Sequence, residues 1–254
     1  MSNFDEFDRP IGPEKDTSSI ISHAFENYKG VLIYGILYII IAFFIEFLLS
    51  LVFPGSSLSP DTIKEIIESS KSGETDAIKD IILSNQDISF GSQAFSILAS
   101  LISGALLYPL TAGMVYINHK NNSKQQIEVT DLFIGYKQNT LNLMLYGLVI
   151  SVLASIGTLL CVIPGIYIYI IGFVGLPIVF FGNKNLSEGL NLSFSTTNQN
   201  LGLVLGVAIL GFLISISGVL LCGIGILLTL PFIYSASYSL YCALFGTPYE
   251  IKSE

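Results

Sequence analysis

Charge is what this chain most lacks. Asp, Glu, Lys and Arg make up 12% of its 254 residues, about half of the ~25% usual in soluble domains. Together with a mean hydropathy of +0.69, this excludes a soluble globular protein. The 11 basic residues form no cluster, which excludes a grip on nucleic acid. The net charge of −8 is no general surface field, because most acids fall in two segments, Asp5–Glu26 and Asp61–Asp87. Cysteine is scarce too. Cys161, Cys222 and Cys242 lie inside or at the ends of apolar runs and read as small buried hydrophobes, not as a disulfide set.

Catalytic signatures are missing as well. The two histidines, His23 and His119, stand far apart at polar edges, where a lone histidine carries no special role. There is no paired-histidine metal motif, no GxSxG, no P-loop and no dinucleotide fingerprint. The expectation is a protein that is not an enzyme and holds no cofactor or metal. No cleavable signal peptide is expected, since the first apolar run starts at Val31 behind an acidic stretch.

What the chain does have is hydrocarbon in long uninterrupted runs. Leu141–Phe181 and Leu201–Thr247 contain no Asp, Glu, Lys, Arg or His. A membrane-spanning helix needs roughly 20 apolar residues for a core about 30 Å thick, so each block has the length for two passes. Each is broken near its middle by a turn signal, Cys161-Val-Ile-Pro164-Gly165 in the first and Cys222-Gly-Ile-Gly225 in the second. Two earlier apolar runs bring the spans to six: 31–53, 94–117, 141–160, 165–181, 201–221 and 225–245.

Between the spans the hydrophobic spacing changes character. Ile20, Ile21, Ala24, Phe25 and Tyr28 form one stripe on a short helix capped by Ser18 or Ser19, the pattern of a helix lying in the membrane interface. A similar short helix, capped by Thr130, is predicted through Leu132, Phe133 and Tyr136, and another through Leu186, Leu190 and Phe194. Ser56–Gln93 is the one long hydrophilic connection, with apolar faces for two short helices. The predicted fold is all-α: a polytopic membrane helix bundle of six spans in three hairpins, with short interfacial amphipathic helices and one external helical loop. Residues 1–17 read as a polar cytoplasmic tail and 18–254 as a single membrane domain.

Six spans put both termini on one side, and basic residues indicate which. Arg9, Lys15, Lys29, Lys120, Lys124, Lys137, Lys184 and Lys252 lie with the termini, and only Lys64, Lys71 and Lys79 lie opposite. That asymmetry predicts cytoplasmic termini in a prokaryotic cytoplasmic membrane. An internal repeat is also expected. A shift of 61 residues places Phe133 on Phe194, Gly157 on Gly218, Leu159-Leu160-Cys161 on Leu220-Leu221-Cys222, and Ile163 on Ile224. Phe25-x-x-Tyr28-Lys29 against Phe133-x-x-Tyr136-Lys137 suggests a third, more divergent copy.

Glu46 is the one charged side chain within a span. A charge at mid-membrane costs about 3 kcal/mol on insertion scales, so a partner or protonation is expected. The second span offers Ser92, Ser96, Ser100 and Ser103 at helical spacing, and antiparallel packing would bring Ser96–Ser103 to matching depth. The candidate intramembrane polar site is therefore Glu46 with Ser96, Ser100 and Ser103, either as a proton or ligand site or as a neutral carboxyl that locks two helices. Small residues at Gly147/Ser151/Ser155, Gly202/Gly206 and Gly211/Ser215/Gly218 suit close helix packing. Pro109, Pro177 and Pro231 fall inside spans and are expected to kink them.

Three motifs carry a family resemblance: Ile163-Pro164-Gly165-Ile-Tyr167-Ile-Tyr169, Leu186-Ser-Glu-Gly-Leu-Asn-Leu-Ser193, and Gly223-Ile-Gly225-Ile-Leu-Leu-Thr229-Leu-Pro231. Over roughly Phe133–Phe245 the chain resembles the membrane domain of bacterial glycerophosphodiester phosphodiesterases and related six-helix integral membrane proteins. The resemblance implies a fold and a location. It implies no activity, because the catalytic barrel that can accompany such a domain has no room here. The functional expectation is a scaffold or lipid-associated accessory, with a small transporter or permease using Glu46 and the second-span serines as the alternative. The expected partners are membrane lipids, with other membrane proteins or a homo-oligomer as further candidates and no nucleic acid.

Overall fold

The computed structural model describes residues 12–52, 69, 90–220 and 225–248. Among them there are eight α-helices and no strand. They are α1 (Thr17–Val52), α2 (Phe90–Asn122), α3 (Thr140–Leu160), α4 (Val162–Phe181), α5 (Leu186–Gln199), α6 (Leu201–Ile216), α7 (Gly225–Thr229) and α8 (Phe232–Phe245), with 3-10 helices at Val129–Tyr136 and Ser217–Leu220. Six helical stretches are long and apolar enough to cross a membrane: Thr17–Val52, Leu98–Asn122, Thr140–Leu160, Val162–Phe181, Leu201–Val219 and Gly225–Phe245. The protein is an all-α, multi-pass membrane helix bundle. Its outward face agrees with that. Leu159, Leu160 and Ile163 are 87%, 80% and 76% exposed, a surface that suits lipid and not water.

Most of the Ser56–Gln93 connection and most of the 1–17 tail lie outside the described residues. Packing divides the chain into two units, residues 43–103 and the remainder. The smaller unit holds the last turns of α1 and the beginning of α2.

In the larger unit, α4 and α8 are the central helices. Nine of the 14 residues of α8 are buried. On one side, Ile20 and Ala24 of α1 and Val204 and Val207 of α6 pack with Ile178 of α4 and Phe232 of α8. On the other, Ala112 of α2 and Leu143 and Ile150 of α3 pack with Ile171 of α4 and Tyr238 of α8. This is why the two uncharged blocks read as hydrophobic all round: each contains a central helix.

Several local expectations are corrected. The predicted interfacial helix and first span are one continuous helix, α1, 36 residues long. Gly30 does not break it; a Cβ there would collide with the Asn121 side chain, so the glycine serves close approach. The cap is Asp16, not Ser18 or Ser19, because its Oδ1 accepts the Ser18 and Ser19 amides at 2.9 and 3.0 Å. Thr130 caps nothing either. The Val129–Tyr136 helix starts at Glu128, whose amide donates to Asp131 Oδ2 at 2.7 Å. Pro164 and Gly165 belong to the first turn of α4, where proline is tolerated, and the turn from α3 is the single extended residue Cys161. Pro231 is sharper than a kink: it ends α7's line and stands as the N-cap of α8.

Helix α5 differs most from expectation. It does not lie apart as an interfacial helix; it runs back along α4. A Cβ on Gly189 would come 2.5 Å from Val179, Ser193 meets the Gly175 position, and Tyr167 donates to Asn198 at 2.7 Å. From Val179 to Tyr167 is about 18 Å of helix. The buried face of α5 is Gly189, Ser193 and Thr197, small residues at i, i+4 and i+8, while Phe194 is exposed. Close approach of the two backbones won over burial of the larger side chains.

Candidate functional site

The side chains with the most connected chemistry gather where the polar end of α2 meets the first turns of α1 and the middle of α8. Ile20, Ala24, Asn27 and Val31 form the buried stripe of α1, which places His23 at its margin. The apolar pattern of α2 ends in Asn118-His119-Lys120-Asn121-Asn122. On α8, Ser235, Tyr238 and Ser239 lie at i, i+3 and i+4 on one face. Three polar patches, each unremarkable alone, therefore converge.

They form one hydrogen-bonded chain. His23 Nδ1 lies 2.9 Å from Ser239 Oγ, and His23 Nε2 lies 3.2 Å from Asn122 Oδ1. Asn122 Nδ2 donates to Tyr238 Oη at 3.1 Å, and Tyr238 Oη lies 3.3 Å from His119 Nδ1. The Asn122 amide sets the polarity, since its oxygen only accepts and its nitrogen only donates. Assigned that way, Ser239 donates to His23, His23 to Asn122, and Asn122 to Tyr238, whose hydroxyl is the neighbour of His119 Nδ1. The other ring nitrogen of His119, Nε2, is buried without a hydrogen-bond partner. His119 is 2% exposed and packs edge-on against Phe181, with ring centroids 5.5 Å apart.

A second set of amides braces the first. Asn27 Nδ2 donates to the Asn118 carbonyl at 3.0 Å, Asn121 Nδ2 donates to Asn27 Oδ1 at 2.6 Å, and Ser235 donates to Asn118 Oδ1 at 2.6 Å. Lys120 and Asp131 form an ion pair at 2.8 Å with side chains only 15% and 14% exposed, tying the 3-10 helix to the end of α2. Nearby, burial raises the Tyr136 phenol above its ordinary pKa, with a smaller contribution from Tyr38.

A polar recess of about 80 Å³ opens beside this cluster, lined by His23, Glu26, Asn27, Asn121, Asn122 and Lys124. A much larger apolar groove of about 500 Å³ lies between α4, α6 and α8, with Tyr169, Ile170, Phe173, Ala208, Phe212 and Ile233 among its walls.

The predicted intramembrane site is in part assembled. In the smaller unit, buried Ser103 donates a hydrogen bond to Oε1 of Glu46, which is otherwise exposed on α1. The Ser96 side chain lies outside the described residues. Ser100 also takes part in an interaction. The histidines correct the expectation outright. Read separately, His23 and His119 had no special role; in the fold, Asn122 and Tyr238 connect them. The available signal was the density of Asn and His at the end of an apolar helix, but its partners are 99 and 116 residues away. Among the described residues no three His, Cys, Asp or Glu side chains are placed to hold a metal ion.

Searches against family models, curated proteins and solved structures find no match to this chain.

Proposed function

We propose that the protein is a lipid-associated, non-enzymatic accessory or scaffold of a prokaryotic cytoplasmic membrane, with its termini on the cytoplasmic side. The observation that carries this reading is the groove between α4, α6 and α8: about 500 Å³, walled by apolar side chains of three spanning stretches. Its size falls within the roughly 300–1,000 Å³ of ordinary ligand sites, and the neighbour at that position in a bilayer is an acyl chain. Native mass spectrometry of gently solubilised protein should show retained lipid, and Ala208→Phe, which fills the groove, should remove it. Equal retention by the variant would defeat the reading.

Topology supports the cytoplasmic assignment through the basic-residue asymmetry. Cysteines introduced at Ser72 and Ser123, in a background without native cysteines, should label from opposite sides of sealed vesicles, with Ser72 outside. The three-hairpin pairing and the internal duplication belong to the same proposal. They are supported by one corresponding pair of contacts: a Cβ on Gly157 would lie 3.1 Å from Pro164, and one on Gly218 would collide with Gly225, each 61 residues on. The likeness to glycerophosphodiester phosphodiesterase membrane domains belongs here as well, as the lineage we propose.

The permease alternative keeps one specific support, the Ser103–Glu46 hydrogen bond. A proton-coupled carrier would lose pH-dependent flux in liposomes on Glu46→Gln while keeping its fold.

A further inference from the structure

The recess beside His23 has two charged walls, Glu26 and Lys124; Glu26 acts on the His23 ring through space, and neither charge forms an ion pair with another described residue. Asn27 spends its amide donor and oxygen on α2, Asn122 spends its oxygen on His23 of α1 and its donor on Tyr238 of α8, and both ring nitrogens of His23 are engaged. Two ionic groups remain, the Glu26 carboxylate and the Lys124 ammonium. Both line the recess and both are exposed. Neither is joined to the other, or to any other described residue, by a hydrogen bond or an ion pair. Among the described residues Lys124 is also one of three non-glycine residues with positive φ, at 55°, held there by its amide bonding to the Asn121 carbonyl at 3.1 Å.

Depth decides what such a recess meets. A helix of 36 residues is about 54 Å long, far beyond a hydrocarbon core of about 30 Å. The uncharged run of α1 starts at Val31, after Glu26, Asn27 and Lys29. Helix α2 likewise turns polar at Asn118. The recess therefore lies at the level of lipid headgroups. At about 80 Å³ it exceeds the ~10–15 Å³ that one water requires on the same measure.

The geometry points to a binding site for a small zwitterion that carries a primary ammonium and a phosphate, the chemistry of an ethanolamine phosphate headgroup. The ammonium would pair with Glu26 and the phosphate with Lys124, and the amide-lined floor supplies a polar surface between them. A purely anionic group would leave Glu26 opposed by like charge, and a purely cationic one would do the same to Lys124. The same chemistry can come from a membrane lipid or from free phosphoethanolamine. The lipid source rests on the lipid-associated reading above; the free source does not.

The test uses the full chain in detergent micelles supplemented with equimolar phosphatidylethanolamine and phosphatidylglycerol, read by native mass spectrometry, beside a thermal-shift titration with free phosphoethanolamine. Wild type should retain the ethanolamine lipid over the glycerol lipid by about tenfold, a difference the single contact between Glu26 and the ammonium can supply. Glu26→Gln should abolish that preference, and Lys124→Gln should weaken retention of both lipids; both side chains are exposed, so the fold survives. Protection by free phosphoethanolamine, lost in the same variants, would support the site with a soluble ligand. The proposal is overturned if neither lipid is preferred and free phosphoethanolamine gives no protection, or if both variants behave as wild type. Loss of lipid in Ala208→Phe with no effect of Glu26→Gln would sink this site and leave the lipid-associated function standing.

Discussion

The phenolic oxygen of Tyr238 lies 3.3 Å from Nδ1 of His119, a residue 119 positions earlier in the chain. It also receives the Asn122 amide at 3.1 Å. One oxygen atom thus ties the end of α2 to the middle of α8, and through Asn122 it reaches His23 on α1.

Removing that oxygen should destabilise the bundle. Tyr238→Phe keeps the ring but leaves His119 Nδ1 and the Asn122 amide without their partner, and unsatisfied buried groups cost about 1–3 kcal/mol each. The expected loss is about 2 kcal/mol, seen as a lower Tm in detergent. Tyr241→Phe, on the same helix but with no hydrogen bond from its hydroxyl, is the control and should be close to neutral. Equal Tm values for wild type and Tyr238→Phe would show that the network carries no stability.

The Lys120–Asp131 pair should behave as a partly buried contact. Asp131 holds the Lys120 ammonium and caps the Glu128 amide with the same carboxylate oxygen. Asp131→Ala loses both, an expected cost of about 2 kcal/mol from a charge-assisted bond and a cap. Lys120→Met loses only the first and should cost less. A double-mutant cycle between the two checks the pair directly, and a coupling of zero would contradict it.

How much of this was legible beforehand follows from the range of each interaction. The spans were readable because twenty apolar residues in a row need no knowledge of neighbours, and all six predicted spans fall on apolar helical stretches, although the first helix starts at Thr17, well before the predicted 31. The sixth is broken at Leu230-Pro231, which the proline announced as a kink. Gly165 misled, since a glycine that ends a helix and one that lets another chain segment approach look the same in one dimension. Asp16 was passed over for the serines beside it because aspartate and serine both make good caps. Glu46 and Ser103 were found together because matching depth across an antiparallel pair is arithmetic on two nearby spans. The histidine chain was not found, because its members come from α1, α2 and α8 and only the packing of all three aligns them.

Glu46 now has an observed partner, which sharpens its variants. Glu46→Gln retains an oxygen to accept from Ser103, so stability should change little. Glu46→Leu leaves the Ser103 hydroxyl to bond within its own helix, a loss of about 1 kcal/mol on the scale of hydrogen bonds between membrane helices. Thermal stability of both variants beside wild type checks this. A Glu46→Leu protein more stable than wild type would mean that the carboxyl is kept for a purpose other than packing.

The closest backbone contact in the larger unit makes the strongest prediction. Gly113 on α2 and Gly135 in the 3-10 helix face each other's elements: a Cβ on Gly113 would collide with the Leu132 carbonyl, and one on Gly135 with the Pro109 carbonyl. Both obstacles are main chain, so no side-chain rotation can relieve them. The 3-10 helix is also anchored at its start by Asp131 and at its end by Tyr136, whose hydroxyl donates to the Leu106 carbonyl at 2.5 Å. The segment cannot slide away without giving up those bonds. Gly113→Ala and Gly135→Ala should therefore each cost about 3 kcal/mol or more, the upper end for overpacking a tight contact. Gly202, near the start of α6, is the counter-case. A Cβ there meets nothing within 4 Å, and alanine restricts the unfolded chain, so Gly202→Ala should be neutral or stabilising by up to about 1 kcal/mol. Thermal denaturation of the three variants in one detergent measures the contrast. If Gly135→Ala melts with wild type while Gly202→Ala melts lower, the 3-10 helix does not lie against α2 as described.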